Sequence, residues 1–106
     1  LCQQIPELHL RANPSQRARD FFDIYTVCTK QEIAASDGEL LDCVRQSFDA
    51  KKVPLAALTE IAFQRSFHSA GWDEVKLSSR QQLEVFDFYF DETLKLIQGL
   101  VETLGI

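Results

Sequence analysis

The sequence predicts an all-α fold: a compact bundle of about four helices closed by a long C-terminal helix. Three observations carry this. Apolar residues recur at steps of three and four in several stretches. Residues that favour helix starts stand directly before those stretches. No segment alternates cleanly with period two, and Val75, Leu77 and the region around Val53 are too short to seed a sheet.

Residues 1–13 read as an N-terminal arm. Pro6 and Pro14 punctuate it, and Ile5, Leu8 and Leu10 suit a short turn or an extended arm lying on the domain. Asn13-Pro14-Ser15-Gln16 is a helix start, with Asn13 as cap and Pro14 at the first helical position. Ala18, Phe21, Phe22, Tyr25 and Cys28 then stripe a helix over 14–30. Ser36 and Glu39 stand in capping-box positions before a helix over 37–49, lined by Leu40, Leu41, Val44 and Phe48. Lys51-Lys52 breaks it. Pro54 opens a third helix over 54–67 that buries Leu55, Leu58, Ile61 and Ala62, with Phe63 as a further candidate. Gly71 ends that region, and Trp72 anchors the connection that follows. Ser78 or Ser79 starts the longest helix, 79–103, whose seam is Leu83, Phe86, Phe90, Leu94, Ile97, Val101 and Leu104. Gly105 stops it. The expected core is Phe21 or Phe22 with Tyr25, Leu41, Val44, Phe48, Leu58, Ile61, Phe86, Phe90, Leu94 and Ile97.

The chain has 106 residues, 45% of them hydrophobic and 25% charged, which suits a single globular domain rather than a disordered tail. The formal charge of −5 argues against a self-sufficient nucleic-acid binder, because neutralising phosphates needs a basic excess. Three cysteines, at 2, 28 and 43, are too few and too oddly numbered for a disulfide scaffold. They point to free thiols in a reducing compartment, hence the cytoplasm. No apolar run approaches the roughly 18 residues of a membrane span. The chain opens Leu1-Cys2-Gln3-Gln4 and contains no Met, so it is expected to be a piece of a longer protein.

The densest polar chemistry is Arg17-Ala18-Arg19-Asp20-Phe21-Phe22-Asp23-Ile24-Tyr25. Asp20 and Asp23 are three apart, so one helix face can present both carboxylates. Arg17 stands three before Asp20 and Arg19 four before Asp23, the separations of intrahelical ion pairs. One reading is a solvated charged face over an aromatic core. The other is a carboxylate that holds Mg²⁺ or activates a hydroxyl, with arginine placed to meet phosphate.

This run resembles the last motif of the AbiEii/AbiGii-type nucleotidyltransferase toxins: a basic residue, a spacer, Arg/Lys-Asp, an aromatic, any residue, Asp, then aliphatic and aromatic residues. Arg17 to Tyr25 fits it position by position. A helix after the motif, a basic turn before a Pro, a Trp-containing connector and a long final helix resemble the family's helical tail. The resemblance implies a polymerase-β-like nucleotidyltransferase core followed by helices, in toxins of bacterial toxin–antitoxin or phage-defence systems. It implies a catalytic role for Asp20, a more structural one for Asp23, and support from Tyr25. It places the basic motif position on Arg17, where family members often carry Lys. Arg17 and Arg19 would meet substrate phosphate or hold Asp20 ionised. The implied cofactor is Mg²⁺ with a nucleoside triphosphate. The implied partners are an N-terminal nucleotidyltransferase domain of the same protein, tRNA or another acceptor, and an antitoxin, with no membrane.

The Gly-rich opening, the paired-Asp metal motif and the lysine that the family places before this motif are not in the chain. Two-metal nucleotidyl transfer needs carboxylates bracketing the attacking and leaving oxygens. The 106 residues alone are therefore expected to be inactive. Asp20 is expected to be at least partly exposed in them, or paired only with these arginines.

Other candidates are weaker. His9 and His68 are far apart, and no Cys stands at a metal-site spacing, so no zinc site is expected. Cys28 reads as a core thiol and His68 as a loop histidine. Lys30, Lys51 and Lys52 are too few for an RNA surface. Glu84, Asp87, Asp91, Glu92 and Glu102 against Lys95 make the outer face of the last helix acidic. That face is a solvated surface or a docking surface for a basic partner. A free-standing interaction or structural domain without catalytic activity is the alternative to the enzyme reading.

Overall fold

A computed structural model describes residues 3–10 and 12–106. Among the described residues six α-helices follow one another: α1 (Gln4–Leu10), α2 (Pro14–Gln31), α3 (Gly38–Ala50), α4 (Arg65–Ser69), α5 (Trp72–Ser78) and α6 (Phe86–Leu104). A 3₁₀ segment, Leu55–Phe63, joins α3 to α4. The described residues contain no strand. No helix among them is long and apolar enough to cross a membrane. The all-helical class therefore stands.

The α2 helix is the central post, packed against α1, α4, α5 and α6. Its start is local chemistry. Asn13 is extended, and its side-chain oxygen accepts from the backbone N–H groups of Ser15 at 3.0 Å and Gln16 at 3.2 Å. Pro14 occupies the first turn, where its missing N–H costs nothing. At the α3 start the cap is Asp37 rather than Ser36. Its carboxylate accepts from the N–H groups of Glu39 and Leu40, one residue later than the capping-box pattern suggested.

Three elements differ from expectation. Residues 4–10 form helix α1, with Ile5, Pro6 and Leu8 buried, rather than a turn or extended arm. Pro6 falls in the first helical turn, where backbone N–H groups have no helical partner, so it breaks nothing. The 54–67 helix is instead the 3₁₀ segment plus α4, interrupted at Gln64. Leu55, Leu58 and Ile61 repeat every three residues, and only three residues per turn align them on one edge. Leu58 and Ile61 are buried there, while Phe63 is 89% exposed. The last helix starts at Phe86, not at 79. Ser79 Oγ accepts from Gln81 N–H at 3.1 Å, and the Glu84 N–H donates to Tyr89 Oη at 3.0 Å, so the segment is tied back in a non-helical form.

Trp72 is buried as expected, but as the first residue of helix α5. Gly71 precedes it at φ +85°, a left-handed conformation. A Cβ there would lie 2.6 Å from Ser15 N and 2.7 Å from the Pro14 carbonyl carbon. Only glycine lets the α4–α5 corner touch the start of α2. Gly105 ends α6 in the same left-handed region, at φ +73°.

The core joins α1, α2, α3, the 3₁₀ segment, α5 and α6 in one cluster. Phe21, Val44, Phe48, Leu58, Ile61, Phe86, Phe90 and Ile97 are buried as expected. Tyr25, Leu41 and Leu94 are only partly buried and pack on its edge. Ile5, Leu8, Ile24, Tyr89 and Leu100 join it beyond expectation. The radius of gyration, 13.2 Å, is that of one packed domain of this length, roughly 13 Å.

The free-thiol expectation is corrected at Cys43, which is disulfide-bonded. Sequence spacing does not show which cysteines approach within bonding distance in space. Cys28 is free and half-buried, and burial pushes its thiol pKa up, which lowers its thiolate fraction. Cys2 lies outside the described residues.

Candidate functional site

The motif lies on α2, and the helix divides it. Arg17 and Asp20 face inward, 4% and 3% exposed. Arg19 and Asp23 face outward as an i,i+4 pair, with Nε and Oδ1 3.7 Å apart. An exposed pair of this kind contributes about 0.3–0.5 kcal/mol. Of the two states expected for Asp20, the exposed one is not adopted. The structure thus brings Arg17 and Asp20 to one side and leaves Arg19 and Asp23 on another.

Arg17 is a strut between α2 and α4. One Nη donates to the Phe67 carbonyl at 3.1 Å, and the guanidinium carbon lies 3.8 Å from the centroid of the Phe67 ring. The ring is half-exposed, so it shields the charge from one side only. Stacking on an aromatic face and bonding a carbonyl both suit a planar guanidinium better than an ammonium. Both contacts account for an arginine at this position.

The aromatic residues of the motif are the glue beneath it. Phe21 stacks against Phe86 and Phe90 at centroid distances of 5.4 and 5.2 Å, and Thr93 Oγ1 donates to the Phe21 carbonyl. Phe22 meets Tyr89 edge to face. Tyr25 meets Phe88 and Tyr89 at 5.2 and 5.3 Å. Tyr25 therefore docks α2 on α6, which accounts for an aromatic at the end of the motif.

His68 belongs to the same cluster, and the sequence reading missed it. It lies on α4, fully buried rather than exposed in a loop. Its ring sits 5.0 Å from Phe21 and 5.3 Å from Phe67, and neither ring nitrogen has a hydrogen-bond partner among the described residues. Burial, then the positive Arg17 and then His9 push its pKa down to about 4. No local spacing signals its burial, because the run from Ile61 is 3₁₀ up to Phe63 and is interrupted at Gln64.

The sign of its pH dependence follows. The folded pKa lies below the unfolded value of 6.5, so the fold favours the neutral ring. The stability this brings is complete above pH 6.5 and is lost as pH falls towards 4. Between pH 7 and about pH 4.5, urea unfolding should show a loss of about 2 kcal/mol from this group. His68→Leu should flatten that part of the profile. A wild-type loss unchanged in the variant would assign the acid sensitivity elsewhere.

A cleft of about 320 Å³ opens between the first turns of α2 and helix α5, lined by Ser15, Gln16, Arg19, Glu74, Val75 and Ser78. Arg19 is the one motif residue on it. The cleft offers a positive and a negative side chain and two hydroxyls, enough to hold a polar group but not to drive a transfer. Among the described residues, no group of three or more His, Cys, Asp and Glu side chains is placed to hold a metal ion. Asp20 is buried and Asp23 is held by Arg19, so the two carboxylates do not converge as Mg²⁺ ligands. The residues present do not fit that cofactor.

No protein-family model, curated protein or solved structure significantly matches the chain.

Proposed function

We propose that this chain is the helical C-terminal part of a nucleotidyltransferase toxin from a bacterial toxin–antitoxin or phage-defence system. The observation that supports the reading is the nine-residue run Arg17–Tyr25 on a single capped helix, its inner side packed and its outer side beside a polar cleft. In this reading an N-terminal domain supplies the metal-binding carboxylates, Mg²⁺ and the nucleoside triphosphate. The helical part contributes Asp20, which must be uncovered when that domain docks. Arg19 already faces outward to meet phosphate, Arg17 sets the position of the helix against α4, and Asp23 has the more structural role of pairing with Arg19. The acceptor is tRNA or another polymer end, and an antitoxin restrains the activity. Cytoplasmic operation belongs to the same proposal, and the Cys43 disulfide is the observation that runs against it.

The first experiment is to read the gene upstream of Leu1. A Gly-rich segment followed by Asp-x-Asp supports the proposal. An in-frame Met directly before Leu1, with nothing preceding it, defeats it and leaves a free-standing interaction domain. That second reading is favoured by one observation, an apolar groove on the other side of the molecule.

A further inference from the structure

The groove lies between the 3₁₀ segment and α6, encloses about 520 Å³, and has Leu58 and Ile97 as its floor. Phe63 stands on its wall with 89% of its surface exposed. A phenylalanine left so bare gains nothing from folding, since transfer from water is what stabilises apolar surface. Leu94 and Val101 on the facing wall are half-buried. The lining is therefore mostly apolar, with Thr59, Gln98 and Glu102 as its polar members.

Among the residues that line the groove, the one ionisable side chain is acidic, Glu102. Helix α6 carries Asp87, Asp91, Glu92 and Glu102 against Lys95. Arg65 satisfies Asp87 and Asp91 at 2.9 and 2.7 Å, and Lys95 satisfies Glu92 at 3.1 Å. Glu102, on the groove itself, has no ion-pair partner among the described residues. None of those paired side chains lines the groove, so the unpaired charge on it is that of Glu102.

We propose that this groove docks a basic amphipathic helix of another protein. A helix satisfies its own backbone and needs only apolar side chains at i, i+3, i+4 and i+7 to fill such a groove. A strand would need a sheet edge, and the described residues contain no strand. A second copy is disfavoured because it would bring an equally acidic chain, net −5, against Glu102. Lysines or arginines flanking the apolar face of the partner would meet Glu102. The proposal does not depend on the nucleotidyltransferase reading.

The test titrates the whole chain with a labelled synthetic amphipathic helix, leucines on one face and lysines on the other, followed by fluorescence anisotropy. The lysine peptide should bind, and more weakly as salt rises. Phe63→Ser should weaken it about tenfold or more, and Glu102→Lys about threefold or more. Both residues are exposed, so both variants should keep the wild-type thermal midpoint. Equal binding of a peptide with glutamates in place of lysines overturns the basic partner. Equal binding of one with serines in place of leucines overturns the groove, as does binding unchanged in Phe63→Ser. A dimer in sedimentation equilibrium that Phe63→Ser dissociates assigns the face to a second copy and overturns the proposal.

Discussion

Phe90→Ala should remove about 3–5 kcal/mol of folding stability, measured by urea unfolding at neutral pH. Phe90 is fully buried at the crossing of α6 with α2. It meets Phe21 and Phe86, with ring centroids 5.2 and 5.6 Å away, and His68 at 6.4 Å, and the Arg65 guanidinium lies 4.5 Å from its centroid. Truncation leaves a cavity that four rigid neighbours cannot fill, three of them rings. A domain with about 5–15 kcal/mol in total could lose most of its folded population. A loss under about 1 kcal/mol would mean that α6 docks on α2 through a different set of side chains.

Asp20→Asn in the intact protein should lower nucleotidyl transfer, or growth inhibition, by about 100-fold or more with folding preserved. The change keeps the shape of the side chain and removes its charge. Asp20 is 3% exposed in the described fold, so its structural and catalytic roles must be separated. The thermal midpoint of the 106-residue variant does this. A small shift with a large activity loss assigns Asp20 to the reaction. A drop of many degrees, with activity lost in proportion to unfolding, assigns it to holding α2 in place. If Asp23→Asn loses activity while Asp20→Asn retains it, the two roles are reversed.

What the sequence revealed is what is decided locally. Asn13 and Pro14 define the start of α2, and Gly105 the end of α6, because caps and left-handed stops depend on a few neighbouring residues. The steps of three and four that place Phe21, Phe86, Phe90 and Ile97 in the core were legible for the same reason. What was not legible depends on distant contacts or on a competing period. Leu55, Leu58 and Ile61 fit a helical stripe as readily as a 3₁₀ edge. The late start of α6 rests on a bond from Glu84 to Tyr89 that no propensity reports. At the site, the pairing of Arg19 with Asp23 followed from spacing alone. The burial of Arg17 under Phe67, of Asp20, and of His68 against Phe21 did not, because α4 lies about fifty residues away along the chain and folds back over α2. The state of Cys43 likewise depends on spatial proximity, which spacing does not encode.

The central claim is that the run Arg17–Tyr25 belongs to a nucleotidyl-transfer site completed by another domain. Incubating the intact protein, and separately the 106-residue chain, with each of the four labelled nucleoside triphosphates, Mg²⁺ and tRNA tests it most directly. The account predicts label transfer to the acceptor by the intact protein and none by the chain alone. No transfer by the intact protein from any nucleotide, or transfer by the 106 residues alone, would contradict it.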